Sequence, residues 1–331
     1  ASRYSLALLD LTDLTSPVYA EHRADKSFNP GSVGKLAVAV GVFQALAELY
    51  PENLAFRESV LRDEYRAAEN FVRHASHNVP YWNAENQTMR FARPSPGDTV
   101  NLWSWMDWML SASSNVAASM MLREAMLIHE FDEVYPSTAE LRAEYFRETK
   151  GKERTELLRK TLDSGLIRSG IDVEKFRQGG FFTGGARHLA AGGKSIATAR
   201  ELIKFLVAME QGTLVDEFSS REIKRLLYMT QKRIRYASSP KLNKAALYFK
   251  SGSLYRCHSS PCPKYMGDKE NLLNSVVIVE DPAGDDAGLH YMVVVSSNVL
   301  RENSAVAHQT LAGRIHELML KRHARKLDAV R

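Results

Sequence analysis

Phe28-Asn29-Pro30-Gly31-Ser32-Val33-Gly34-Lys35, continued without a break by Leu36-Ala37-Val38-Ala39-Val40-Gly41-Val42-Phe43, decides the fold of this chain. Asn-Pro-Gly is a turn signal, and the chain beyond it is rich in Ala, Val and Leu as far as Tyr50, where Pro51 stops the run. The pattern predicts a buried helix over Ser32–Tyr50. A serine at a helix start has its backbone N–H at the positive end of the helix dipole, a place suited to an oxyanion. Lys35 comes one turn later on the same face, within reach of the Ser32 hydroxyl proton. To take that proton the amine must be partly neutral, and burial among Leu36, Val38 and Val40 favours the neutral form. Ser-x-x-Lys recurs at Ser238–Lys241, where Pro240 intervenes and prevents the same geometry.

Outward from this segment the chain changes period twice. Tyr4–Leu11 and Val18–His22 read as an N-terminal hairpin. From Pro51 to Gln211 the pattern is mostly helical: a helix over Asn101–Leu110 with Trp103, Trp105 and Trp108, capped by Asp98-Thr99, then Val116–Leu127 and Lys152–Leu162. The Gly-dense run from Gly179 to Gly193 must be loop, and Ala199–Glu210 is a helix closed by Gly212. Ala245–Tyr255 reads as a strand, Leu273–Val279 and Tyr291–Ser297 as a hairpin across Asp281–Gly288, and Ser304–Lys326 as a long helix. Strands at both ends around a helical block predict an α/β (α+β) fold whose sheet is built from both termini. The expected division is 1–50 for the first part of the sheet domain with the nucleophile helix, 51–215 for an inserted all-helical domain, and 216–331 for the second part.

Hydrophobic residues at 44% and charged residues at 25% exclude disordered, collagen-like and low-complexity classes. The net charge of +5 excludes no class of soluble protein. The longest apolar run, Leu36–Phe43, falls short of the ~18 residues of a membrane span, so no integral membrane segment is expected. The two cysteines lie together in Cys257-His-Ser-Ser-Pro-Cys262. They read as a small disulfide loop, a metal clip or two unrelated thiols; two thiols and one His fall short of a structural zinc site.

Two more short motifs carry candidate chemistry. Ser113-Ser114-Asn115 lies between two predicted helices, where a serine hydroxyl can relay a proton, an Asn amide can hold a carbonyl, and either Ser or Asn can simply cap a helix. Lys250-Ser251-Gly252 is the chain's single Lys-[Ser/Thr]-Gly, on the first strand after the helical block. A cation and a hydroxyl there can clamp a carboxylate, Gly252 admits a substrate backbone, and the Ser253 N–H can pair with that of Ser32 as a second oxyanion donor.

In this order, the three motifs resemble those of the penicillin-recognising serine enzymes: class A β-lactamases and the D-alanyl-D-alanine carboxypeptidases and transpeptidases. The resemblance covers essentially the whole chain and implies a five-stranded antiparallel sheet flanked by helices. It further implies a serine hydrolase or acyltransferase that cleaves a C–N amide bond. Ser32 is then the acylated nucleophile, Lys35 its base, and Ser113, aided by Lys250, the proton relay to the leaving nitrogen. Asn115, Ser251, Gly252 and Ser253 bind substrate, and no metal or organic cofactor is implied. A β-lactam or a peptidoglycan-type peptide is the implied partner, with no nucleic acid. An exported location at the cell wall, periplasmic or extracellular, is implied by the same resemblance.

One part of the class A pattern is missing. Its Glu-x-x-Leu-Asn loop, whose Glu activates the deacylating water, matches only Glu270-Asn-Leu-Leu-Asn274, which lies after Lys250 in a strand region. The corresponding stretch, Gln178-Gly-Gly-Phe-Phe-Thr-Gly-Gly-Ala-Arg-His188, has no Glu. Glu174 is the nearest upstream carboxylate, and His188 is an unorthodox candidate base. Without a base, an acyl-enzyme formed from a β-lactam should persist while a smaller D-alanyl acyl group can still leave. The alternatives are a divergent class A β-lactamase with an unorthodox base and a β-lactam sensor acylated without turnover.

Overall fold

The computed structural model describes residues 2–72, 76–230, 233–284 and 288–329. Cα proximity separates two units, one of residues 1–33, 196–207 and 224–331 and the other of 34–195 and 208–223.

The first unit is built on β1 (Tyr4–Asp10), β2 (Val18–His22) and three long strands near the C-terminus. The expected all-antiparallel five-stranded sheet is present, and it joins the two ends of the chain because β1 pairs with the last strand from Tyr4↔Ser297 to Asp10↔Tyr291. Ala246–Arg256 forms an edge, paired with Glu270–Asp281 so that Lys250 faces Val276, Ser251 faces Ser275 and Gly252 faces Asn274. Leu289–Asn298 completes the order. Residues 285–287 of the predicted turn lie outside those described. The two central C-terminal strands are buried at almost every position, which is why they read as continuous Val/Ile runs without alternation. One sheet face carries Leu247, Phe249, Val277, Val279, Tyr291, Val293 and Val295, which pack on Ala312, Ile315 and Met319 of the long terminal helix Ser304–Ala329. Cys257 and Cys262 form a disulfide with Cα atoms 5.4 Å apart, which resolves the three readings of that pair.

The second unit begins with α1 (Lys35–Leu49), buried throughout from Lys35 to Leu46. The Gly31–Leu49 stretch is in fact long and apolar enough for a membrane span by composition, at a mean hydropathy of 1.4. Its apolarity is explained by packing, since 78% of that window is buried within the protein. The unit continues with α2 (Leu54–Asp63), α3 (Leu102–Leu110), α4 (Asn115–Phe131), α5 (Ala139–Glu148) and α6 (Gly151–Arg168). Helices α1 and α6 approach closely at glycines. A methyl group on Gly41 would lie 2.6 Å from the Thr161 carbonyl oxygen, and one on Gly165 would lie 2.7 Å from Val40 Cγ1.

Three expectations need correction. The boundary falls after Val33, not after Tyr50, because the helix beyond Ser32 is buried against α4 and α6. The middle of the chain is not all helical: Tyr65–Ala67 pairs with Thr99–Asn101, and Val79–Asn83 pairs with Thr88–Ala92. These strands are three to five residues long and mostly exposed, so no buried face marked them by alternation. Finally, Asn101 caps α3 by accepting from Ser104 N at 2.9 Å, while Asp98 instead binds Tyr81 Oη (2.6 Å) and Ser95 N (2.8 Å).

Candidate active site

In the first unit, Ser32 lies in a short 3-10 turn, Gly31–Gly34, and α1 starts only at Lys35. The turn is prepared from outside. Asn29 Oδ1 accepts from Gly31 N (2.9 Å), and Gly31 has φ +53°, a left-handed conformation that glycine enters without steric penalty. Asn274 Nδ2, buried on the neighbouring strand, donates to the carbonyls of Asn29 (2.8 Å) and Pro30 (3.0 Å). Asn274, the last residue of the Glu270–Asn274 match, thus holds the backbone ahead of the candidate nucleophile Ser32. Gly252 lies directly against that backbone: a Cβ there would collide with the Pro30 carbonyl and sit 2.9 Å from Ser32 N and 3.1 Å from Val33 N. A Cβ on Gly31 would lie 3.3 Å from Ser253 N. The two predicted oxyanion donors, Ser32 N and Ser253 N, therefore belong to segments in contact, and only glycine at 252 allows it. Lys250 is buried, with Nζ 3.3 Å from the Ser251 carbonyl, and Ser251 turns to the opposite sheet face.

The same edge carries a residue that motif reading missed. Arg235 is only 6% exposed and has φ +61°. Its Nη2 donates to Ser253 Oγ at 3.0 Å, and its guanidinium lies 4.7 Å from the Tyr265 ring centroid. Its Nε has no partner, and no carboxylate pairs with it among the described residues. Burial pulls its pKa down, opposed only by Tyr265 and Tyr255. A buried cation without a counter-charge is unfavourable by several kcal/mol unless a ligand supplies one. The signal for it was present in composition: no Asp or Glu lies between Glu222 and Asp268, while ten Lys or Arg do.

In the second unit, Lys35 is fully buried and its Nζ donates to the Ser113 carbonyl (2.9 Å) and to Asn115 Oδ1 (2.7 Å), with Ser113 Oγ at 3.5 Å. These oxygens are neutral, so they orient the amine without adding a counter-charge. The capping reading of the Ser-x-Asn motif is observed. Ser114 caps α4 by accepting from Ala117 N (3.2 Å), Asn115 is the first residue of that helix, and Ser113 stands in the left-handed region at φ +59°. That conformation costs a non-glycine residue on the order of 1 kcal/mol.

The Gly-rich loop folds back onto the same place. Ser119, one turn along α4 from Asn115, accepts from Phe182 N (3.3 Å) and Thr183 N (3.2 Å). This puts the Phe182 ring 4.9 Å from Lys35 Nζ, a cation–π contact that neither motif reading nor composition signalled. Gln178 is buried, donates Nε2 to the Gly180 carbonyl (2.7 Å), and presses Oε1 against Gly34, where a Cβ would clash. Beside the residue that precedes Lys35 there is therefore an amide and not a carboxylate. The two candidate bases sit elsewhere on the loop surface. His188 is exposed, with Nδ1 2.6 Å from the Gly185 carbonyl, and Glu174 is exposed and ion-paired with Arg177 at 2.8 Å.

An antiparallel five-stranded sheet made from both termini, a serine turn against a Lys-Ser-Gly edge, and a buried lysine on a Ser-x-Asn turn define a β-lactamase-like serine hydrolase fold. A sequence profile described as the Beta-lactamase enzyme family matches residues 3–316, and the chain belongs to that family. Its fold is similar to that of the β-lactamase from Sphaerobacter thermophilus DSM 20745, at 12% identity and a TM-score of 0.60 over 94% of this chain and 88% of that one. A β-lactamase from Chitinophaga pinensis DSM 2588 matches at 13% identity and a TM-score of 0.60, over 97% and 93% of the two chains. The L158E mutant of PBP-A, solved as an acyl-enzyme complex with penicillin G, matches at 13% identity and a TM-score of 0.56, over 96% and 90%. No curated protein sequence matches the chain.

Proposed function

We propose that the protein forms an acyl-enzyme on Ser32 with an amide substrate, a β-lactam or a D-alanyl peptide. The observation that carries this reading is the buried Lys35 amine on Asn115 Oδ1 and the Ser113 carbonyl, in a chain of the β-lactamase family. Ser32 Oγ attacks the carbonyl carbon and gives its proton to Lys35 Nζ. The oxyanion takes the N–H groups of Ser32 and Ser253. The proton then passes through Ser113 Oγ to the leaving nitrogen as the C–N bond breaks, with Lys250 lending positive charge. Asn115 orients the acyl side chain, while Ser251 and Arg235 hold an anionic group on the leaving side.

Water must then attack the ester. Gln178, which cannot act as a base, stands where the Gly-rich loop meets Gly34, and this favours a long-lived adduct with β-lactams over a β-lactamase using His188 or Glu174. The disulfide suits an exported protein, since such bonds persist in oxidising compartments. Intact-protein mass spectrometry with benzylpenicillin over time tests the reading. A lasting adduct on the wild type, absent in Ser32→Ala, is expected. Rapid return of the unmodified mass would mean a β-lactamase, and equal labelling of Ser32→Ala would overturn the nucleophile.

A further inference from the structure

Trp82, Met89 and Phe91 keep 60%, 53% and 60% of their surface in water, and all three belong to the hairpin of Val79–Asn83 with Thr88–Ala92. The register brings them together. Trp82 pairs with Met89 and Pro80 with Phe91, and side chains two residues apart on a strand share a face. The opposite face is fastened within the same unit. Val79 is fully buried, the Tyr81 ring centroid lies 4.9 Å from that of Trp108, and Tyr81 Oη donates to Asp98 at 2.6 Å. Trp108 Nε1 in turn donates to the Pro80 carbonyl at 3.1 Å. A two-stranded hairpin is marginal by itself, so this attachment is what holds the outer apolar face out to solvent. A contiguous patch of large apolar side chains rimmed by polar groups marks an interaction surface.

The charge on this hairpin says what covers the patch. Arg90 and Arg93 are exposed, and neither has a carboxylate partner among the described residues. The Arg90 guanidinium lies 4.4 Å from the Tyr81 ring centroid, a contact that orients the cation without neutralising it. Glu85, in the turn, is the one acid from Val79 to Gly97. We infer that the outer face of this hairpin docks on an anionic phospholipid membrane, with Trp82, Met89 and Phe91 in the boundary between headgroups and acyl chains and Arg90 and Arg93 on lipid phosphates. Aromatic side chains beside arginine are suited to that boundary, where one end of a residue is apolar and the other wet. The turn carries Glu85, Asn86 and Gln87, so the hairpin lies flat on the surface and does not enter by its tip. A second copy docked through the same patch would gather four arginines against two glutamates, which charge opposes, whereas a membrane supplies the missing negative charge. The inference stands apart from the acyl-transfer reading and needs none of its residues.

Co-sedimentation of the full chain with lipid vesicles tests this. Vesicles of phosphatidylglycerol and phosphatidylcholine in equal parts are compared with vesicles of phosphatidylcholine alone. Binding to the anionic vesicles should be tighter by roughly fivefold for each arginine, and 1 M salt, which screens charge beyond about 3 Å, should remove the difference. Arg90→Gln with Arg93→Gln should weaken binding to the anionic vesicles only. Trp82→Ser with Phe91→Ser should weaken binding to both kinds by at least about tenfold, the worth of burying even one such side chain. Trp82→Phe keeps the apolar face, so it should bind as the wild type does while losing the tryptophan emission that a doxyl-labelled lipid quenches. No binding to anionic vesicles, or binding that Trp82→Ser with Phe91→Ser leaves unchanged, overturns the inference. A dimer in solution that the same pair of changes dissociates would make this face a contact between copies and overturns it as well.

Discussion

At the scale of single residues, burial decides which polar side chains do chemistry. Lys35 is fully buried with its amine on the Ser113 carbonyl and Asn115 Oδ1, and the proton-acceptor role proposed for it is tested by removing that amine. Lys35→Ala should slow labelling by a fluorescent penicillin by about 10²–10⁴-fold, the usual contribution of a positioned base. Ser113 offers a sharper separation of fold from function. Its left-handed backbone suits glycine, and the relief of on the order of 1 kcal/mol roughly offsets glycine's entropic penalty. Ser113→Gly should therefore keep its stability in urea within about 1 kcal/mol of wild type while losing at least roughly tenfold in labelling rate. Ser32, Lys35, Ser113, Asn115 and Lys250 could be named as candidates from spacing, because each sits in a local motif. Phe182 could not, since a ring over an amine is a fact about neighbours far away in sequence, and for Arg235 the sequence carried only the acid-free stretch around it, not its burial.

Among the elements, α1 carries the argument. It is predominantly apolar, which composition alone cannot tell from a membrane span, and it meets α6 closely at glycines. Alanine at position 41 has the better helix propensity by about 1 kcal/mol. Its methyl would nevertheless lie 2.6 Å from a backbone carbonyl that cannot rotate away. Overpacking of this kind costs about 1–3 kcal/mol, so Gly41→Ala should lower the urea midpoint, a result opposite to that expected from propensity. The helix itself, the terminal helix and the three long strands were readable because their periods run for many residues. The short, exposed ladders around residues 65–101 and the Asn101 cap were not, since strands of three to five residues without a buried face and several adjacent cap-forming side chains admit more than one solution.

For the molecule as a whole, pH links stability to buried histidines. His308 lies between Ser275 Oγ (2.9 Å) and Ser297 Oγ (2.8 Å), and full burial, with Arg235 nearby, pushes its pKa down to about 3. In the unfolded chain the same ring takes a proton near pH 6.5, so below that pH the unfolded state binds more protons and stability falls as the solution is acidified. Burial lowers His129 and His316 in the same sense. Stability measured in urea should decline between about pH 7 and pH 4 by on the order of 1 kcal/mol per pH unit from His308, and His308→Gln should flatten that decline even if it lowers stability at neutral pH. By itself the sequence determined the family, the order of motifs and the joining of both termini in one sheet, because those rest on periodicity and on residues a few positions apart. Tertiary structure alone decided that Gln178 abuts Gly34, that Phe182 covers Lys35 and that Arg235 is buried on Tyr265 without a counter-charge among the described residues. The physical reason is water: a side chain's chemistry depends on what replaces its hydration, and that is set by segments brought together only when the chain folds.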